Sequence, residues 1–257
     1  MGKFIKVCLI LAAAFFVGGI GCVVASLAMG TGWNDFKVAA QNGELDFFNG
    51  HIGFWSDDWE KDWENTQGHE LDETEKFADI RNLKIELPVG ELLVKTADND
   101  EISLTYEGSG SNYKVHQSGN TLKIRGIGKA STAMGSLVIY IPKDYTFDSV
   151  EISVGAGNAE IETISARDAD ISVEAGQIKI NELCIGEDAS LSCEMGNIEV
   201  TLKDDISNYT CTAECDMGNL TIAGRQYRGM GNEAVIGNGD KTIEAECSFG
   251  NIVVRDK

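Results

Sequence analysis

Five stretches of the chain share one pattern, and that repetition limits the fold more than any other feature. ISVGAGNAEI, ISVEAGQIKI and LSCEMGNIEV follow one another, and TAECDMGNLTI and AECSFGNIVV come later. Each has apolar residues at alternate positions, a glycine followed by Asn or Gln, and alternation again. The glycines, Gly157, Gly176, Gly196, Gly218 and Gly250, recur at intervals of 19, 20, 22 and 32 residues. A period near twenty with two short strands per unit predicts an all-β, single-stranded β-solenoid whose rungs stack in register.

The columns of such a stack can be read directly. Three residues before each glycine stand Val154, Val173, Cys193, Cys215 and Cys247. Two after it stand Ala159, Ile178, Ile198, Leu220 and Ile252, and four after it Ile161, Ile180, Val200, Ile222 and Val254. Side chains alternate faces along a strand, so inward positions at three and one before the glycine should continue one after it. They resume two after it instead, which predicts one residue absorbed in a bend at Gly-Asn. Glycine tolerates the positive φ of such a corner, and Asn comes next. The five glycines are therefore read as structural corners, and a stacked Asn ladder would be structural too.

A diverged first rung surrounds Gly90 in LKIELPVGELLV, and further alternating strands run to Ile141 before Pro142. No rung can stand alone. Its half-dozen inward side chains cannot offset the backbone entropy of fixing about twenty residues, so neighbouring rungs must share burial and ladder hydrogen bonds. The stretch AGRQYRGMGNEAVIGNGDKT, near 223–242, is expected to leave the solenoid contour. It places Arg225, Tyr227 and Arg228 together as a basic, aromatic candidate interaction spot.

Ahead of the repeat domain, assigned to 77–257, two other segments stand out. Residues 1–30 carry Lys3 and Lys6 and then run without charge from Val7 to Met29. That is long enough to cross a hydrocarbon core of about 30 Å. The flanking charges predict a cytoplasmic tip and an extracytoplasmic remainder, hence a single-pass cell-membrane protein. An uncleaved signal anchor is favoured by the length of the apolar run; cleavage after Ala28 and lipoprotein processing before Cys22 are the alternatives. Ala14, Gly18, Cys22 and Ser26 form a small-residue stripe suited to helix packing in lipid. Residues 31–76 are acidic and aromatic, as in a juxtamembrane stalk. Trp55, Trp59 and Trp63 fall on one helix face, a candidate interaction or capping surface for the first rung.

The ladder, the stretch GSLVIYIPKDYTFDSVEISVGAGNAEI, and the closing DMGNLTIAGRQYRGM and KTIEAECSFGNIVV resemble the bacterial putative-adhesin family of β-strand-repeat proteins, over about Phe77 to Lys257. The resemblance implies a β-solenoid at the cell envelope, often on one membrane anchor. It brings no catalytic residues.

Chemistry is sparse. The net charge is −20, and nucleic-acid binding would need clustered Lys and Arg, so no nucleic-acid partner is expected. Seven cysteines invite a metal or disulfide reading. Cys193, Cys215 and Cys247, however, share a column otherwise filled by Val and read as core residues. His51, His69 and His116 are scattered, and Asp168, Asp170 and Asp188 sit where solvated corner charge is expected. GNGD at 237–240 resembles a calcium-binding nonapeptide repeat but occurs once. No catalytic, metal or cofactor site is assigned.

The sequence thus predicts a membrane-anchored envelope solenoid presenting a non-catalytic, adhesin-like surface to a protein or cell-surface partner. The alternative is a regulatory or sensory protein acting through a transmembrane partner, and the third reading is a polysaccharide-active enzyme.

Overall fold

The computed structural model describes residues 68–108, 112–127 and 135–257. The apolar segment with Ala14, Gly18, Cys22 and Ser26, and the segment with Trp55, Trp59 and Trp63, lie outside the described residues. Among the described residues no helix is long and apolar enough to cross a membrane.

Alternating sequence produces strand almost throughout. In chain order the strands are β1 (His69–Glu70), β2 (Glu75–Phe77), β3 (Asn82–Ala97), β4 (Ile102–Glu107), β5 (Tyr113–Ser118), β6 (Thr121–Gly126) and β7 (Ser136–Pro142). They continue with β8 (Phe147–Ile161), β9 (Ile164–Ile185), β10 (Asp188–Leu202), β11 (Tyr209–Ile222), β12 (Arg225–Ile236) and β13 (Lys241–Asp256). The sheet does not close. Its order is β1-β5-β6-β3-β8-β9-β10-β13-β11-β12, with β7, β4 and β2 continuing from the second half of β3.

Each long strand bends once, at its glycine, and the bends stack. Gly90, Gly157, Gly176, Gly196, Gly250 and Gly218 are successive register partners in that spatial order. The three inward columns of the five repeats are almost completely buried, from Val154 and Ile161 in β8 to Cys247 and Val254 in β13. They form one continuous core with Leu83, Ile85, Leu87, Leu92 and Val94 of the Gly90 rung.

The corner itself differs from the sequence expectation. The residue without a cross-strand partner stands two before the glycine, at Gly155, Glu174 and Glu194, where the register steps from Val154 to Ala156 and from Cys193 to Met195. Neighbouring strands leave this residue out together and keep register across it, so the bend is shared by every rung and begins ahead of the glycine. The position one before the glycine therefore faces out, not in.

The order of the rungs also departs from the sequence. The fifth repeat, β13, pairs in parallel with β10 on one side and β11 on the other, so it lies between the third and fourth. Two successive positive-φ residues, Ala223 and Gly224, make the tight reversal that hairpin twist favours. This sends the chain back as β12, antiparallel to β11. The stretch expected to leave the contour instead extends the ladder by one strand. The GNGD segment then crosses the start of β11. Gly239 N–H donates to Tyr209 O at 3.2 Å, and Thr210 Oγ1 donates to Gly239 O at 2.9 Å. A Cβ on Gly237 or Gly239 would lie 2.0 Å from the backbone of Tyr209 or Asn208, so the glycines serve a close crossing.

At the other end the Gly90 rung is not open. β6 and β5 extend its first half, and β7 and β4 its second half. Leu71 and Ile80 pack into the same core.

Candidate functional site

The outward turn of the position before the glycine creates the most distinctive surface of the domain. In spatial order the column reads Val89, Ala156, Ala175, Met195, Phe249, Met217 and Met230. Side chains are small where β8 and β9 contribute and large where β10, β13, β11 and β12 do. Met195 is 52% exposed, Phe249 54%, Met217 46% and Met230 73%. Four large apolar side chains on four adjacent strands make a ridge along the corner. Scattered exposed apolar residues are ordinary, whereas a contiguous row marks a contact surface.

Polar groups border the ridge on both sides. On one side runs an amide ladder: Asn219 Nδ2 donates to Asn251 Oδ1, and Asn251 Nδ2 to Asn197 Oδ1, each at 2.8 Å. It fixes the corner and leaves little amide freedom for a ligand. On the other side stand the corner residues Glu174, Glu194 and Asp216, and beyond them Glu246, Glu214 and Glu233 on successive strands. Burial and then the neighbouring charge of Glu194 raise the Glu174 carboxyl above its ordinary range. Like charges stacked at strand spacing repel, so this border favours a cationic neighbour.

The thiol column lies directly beneath. Cys193, Cys247 and Cys215 are consecutive register partners. Their Sγ atoms donate to the glycine carbonyls of adjacent strands: Cys193 to Gly176 at 3.8 Å, Cys247 to Gly196 at 3.6 Å and Cys215 to Gly250 at 3.5 Å. On β12 the same position is Asn232, whose amide donates to Gly218 O at 3.1 Å. On β10, β13, β11 and β12 a polar or thiol side chain in this column thus ties the corner to the neighbouring strand, whereas Val154 and Val173 fill the same column by packing alone. Burial pushes the Cys211 thiol up to about 11, and it also raises Cys215.

A second, polar surface follows the outer face of the first half-strands. An open groove of about 660 Å³ is lined by Lys84, Glu151, Asp168, Asp170, Asp188 and Glu244, among others. Lys84 pairs with Glu151 at 2.6 Å and Arg167 with Asp168 at 2.9 Å. Burial, then the charge of Glu151, raises the Asp170 carboxyl. The three aspartates read as separate corner charges are thus gathered on one face. The described residues hold no group of three His, Cys, Asp or Glu placed to take a metal ion.

Of the other residues marked in the sequence, Arg225, Tyr227 and Arg228 all lie on β12. Tyr227 packs partly against the core, opposite Leu220, and both arginines are exposed. His69 is exposed and bonded to Glu75 at 2.7 Å. The Met195–Met230 ridge is the feature that sequence reasoning missed. Its signal was the change from Ala156 and Ala175 to Met and Phe at a position whose neighbouring columns keep their volume.

An open, bent β-ladder with glycine corners and a decorated outer edge is a repeat scaffold of the β-solenoid class. The chain belongs to the Toastrack DUF4097 family, whose model matches residues 80–183 and again 146–255. The two overlapping matches reflect the internal repetition. Two solved structures are similar. A putative cell adhesion protein from Clostridium sporogenes ATCC 15579 aligns over 74% of this chain and 100% of its own, at 14% identity and a TM-score of 0.45. A putative adhesin from Bacteroides fragilis NCTC 9343 aligns over 72% and 96%, at 14% identity and a TM-score of 0.35. No curated protein matches the sequence.

Proposed function

We infer that this protein is a cell-envelope β-solenoid that binds a partner through its corner ridge, without catalysis, and is held at the membrane by residues 1–30. The observation that carries the reading is the row Met195, Phe249, Met217 and Met230. A flexible thioether adapts to more than one partner shape, and an aromatic ring anchors it. The carboxylates along one border select for a partner with an apolar centre and positive charges at its rim. The Clostridium and Bacteroides proteins are described in adhesion terms, and the same role is proposed here.

The test uses intact cells making the full chain. Added protease should remove the C-terminal domain, and replacing Met195, Met217 and Phe249 together with Ser should abolish partner crosslinking while leaving surface display unchanged. A domain protected from protease until the membrane is opened would refute the envelope placement. Undiminished crosslinking by the triple variant would refute the ridge.

A further inference from the structure

The two ends of the ladder are finished in different ways. At the N-terminal end the outermost strands are β1, with two residues, and β2, with three. Very short outer strands are a common way of blunting a sheet edge. At the other end β12 has 12 residues and contains no proline; among the described residues it pairs only with β11. Along both halves of the bend its far edge presents backbone N–H and C=O groups that pair with no strand among the described residues.

We propose that this edge joins a second copy of the chain, β12 against β12, antiparallel, about a two-fold axis through Gly229. Three observations set this arrangement. The sheet is bent, so a second sheet continues it only if the corners coincide, and Gly229 is the corner of β12, opposite Gly218. The fold already contains one antiparallel joint about facing glycines: β11 and β12 pair with Gly218 opposite Gly229, and Asp216 and Gly231 stand opposite each other without a ladder pair. The joint between copies again sets corner glycine against corner glycine, one strand further out.

Charge supplies the third observation. β12 carries Arg225 and Arg228 in its first half and Glu233 in its second. A parallel partner would set arginine against arginine, and an antiparallel one sets the basic half against the acidic half. The core-facing residues of both copies stay on one side when Gly231 is taken up as a one-residue bulge between the copies; Glu233 then faces Gln226 of the second copy, with Arg228 of that copy its diagonal neighbour on the same outer face. Diagonal cross-strand pairs are within reach of long side chains. Met230, 73% exposed, then lies opposite Arg228 of the second copy, whose aliphatic stem can cover it.

The overall charge of −20 opposes contact between copies elsewhere on the acidic surface. It concentrates self-contact at the strand with two arginines. A head-to-tail contact would have to match the 12 residues of β12 to the two or three of β1 or β2. The isologous joint also closes after two copies, so it builds a dimer rather than a fibre. It places the two corner ridges end to end, with Met195, Phe249 and Met217 of each copy left exposed on either side of the joint. The proposal does not depend on the identity of the ridge partner.

The full chain in detergent, at tens of micromolar, is measured by size-exclusion chromatography with light scattering. The expected protein mass is that of two copies. Arg228→Glu and Glu233→Arg should each weaken the dimer at least about tenfold. The combined variant Arg228→Glu/Glu233→Arg should restore it, because every pair is then inverted. Both residues are exposed, and unchanged far-UV circular dichroism shows that each variant is folded. Hydrogen exchange adds a local readout: β12 amides should be protected as concentration rises in the natural protein and not in Arg228→Glu. A monomeric natural protein, a dimer indifferent to Arg228→Glu, or a charge swap that fails to restore association would each overturn the proposal.

Discussion

Replacing Gly250 with alanine puts the corner geometry to a quantitative test. A Cβ there would lie 1.6 Å from Gly196 O and 2.7 Å from the carbonyl carbon behind it. Both are backbone atoms of the neighbouring strand, so no side chain can swing away. The φ of +152° adds strain for any L-residue. Relief requires β13 to move more than an ångström from β10, beyond the usual 4.7–4.9 Å strand spacing. Two or three ladder hydrogen bonds, worth about 1 kcal/mol each, are then lost on top of about 1 to 3 kcal/mol of strain. The expected cost is about 3 to 6 kcal/mol. Gly229 is the matched control: its φ is +132°, but an added Cβ meets nothing within 4 Å. Gly229→Ala should therefore cost only the strain, about 1 to 2 kcal/mol. Urea unfolding followed by far-UV circular dichroism, at two protein concentrations to separate any contribution of self-association, reads both. Equal midpoints for the two variants would refute the stacked-corner argument.

Other consequences can be measured in the same way. Ile198 is fully buried between rungs, and Ile198→Ala should cost about 2 to 5 kcal/mol in the same unfolding assay. Cys247→Val gives up one weak thiol–carbonyl bond but restores the side chain found at Val173, so its cost should stay below about 1 kcal/mol. Asp170 has a folded-state pKa above its ordinary value. The folded state therefore holds this proton more tightly than the unfolded chain, and stability falls as pH rises through the window between the two values. Asp170→Asn should raise the unfolding midpoint at neutral pH, and the advantage should vanish below about pH 4; a gap unchanged by acid would contradict the assignment.

Much of the architecture was legible because burial repeats. The columns at Val154, Ala159 and Ile161 and their counterparts need only strand alternation and a fixed glycine, and all of them are buried. The direction of the position before the glycine was not legible. Periodicity shows that one residue is skipped but not on which side of Gly196, and placing the skip at Gly-Asn turned Met195 inward on paper. Rung order was hidden for a related reason. β10, β11 and β13 carry nearly interchangeable columns, so β13 matches β10 and β11 equally well. The order is decided by the Ala223-Gly224 reversal and the glycine crossing at 237–239, which are local backbone features. The acidic groove was invisible because Asp168, Asp170 and Asp188 meet Glu244 only after that reordering.

The central claim is that the outward corner ridge makes the contact. A photo-crosslinking residue at position 249, in the full chain on intact cells, addresses it directly. Position 253 lies on the same strand, away from the corner, and serves as the internal reference. The account expects a discrete adduct from position 249 that is absent from position 253 and disappears when Met195 and Met217 are replaced by Ser. Adducts of equal yield from both positions, or none from position 249, would contradict it.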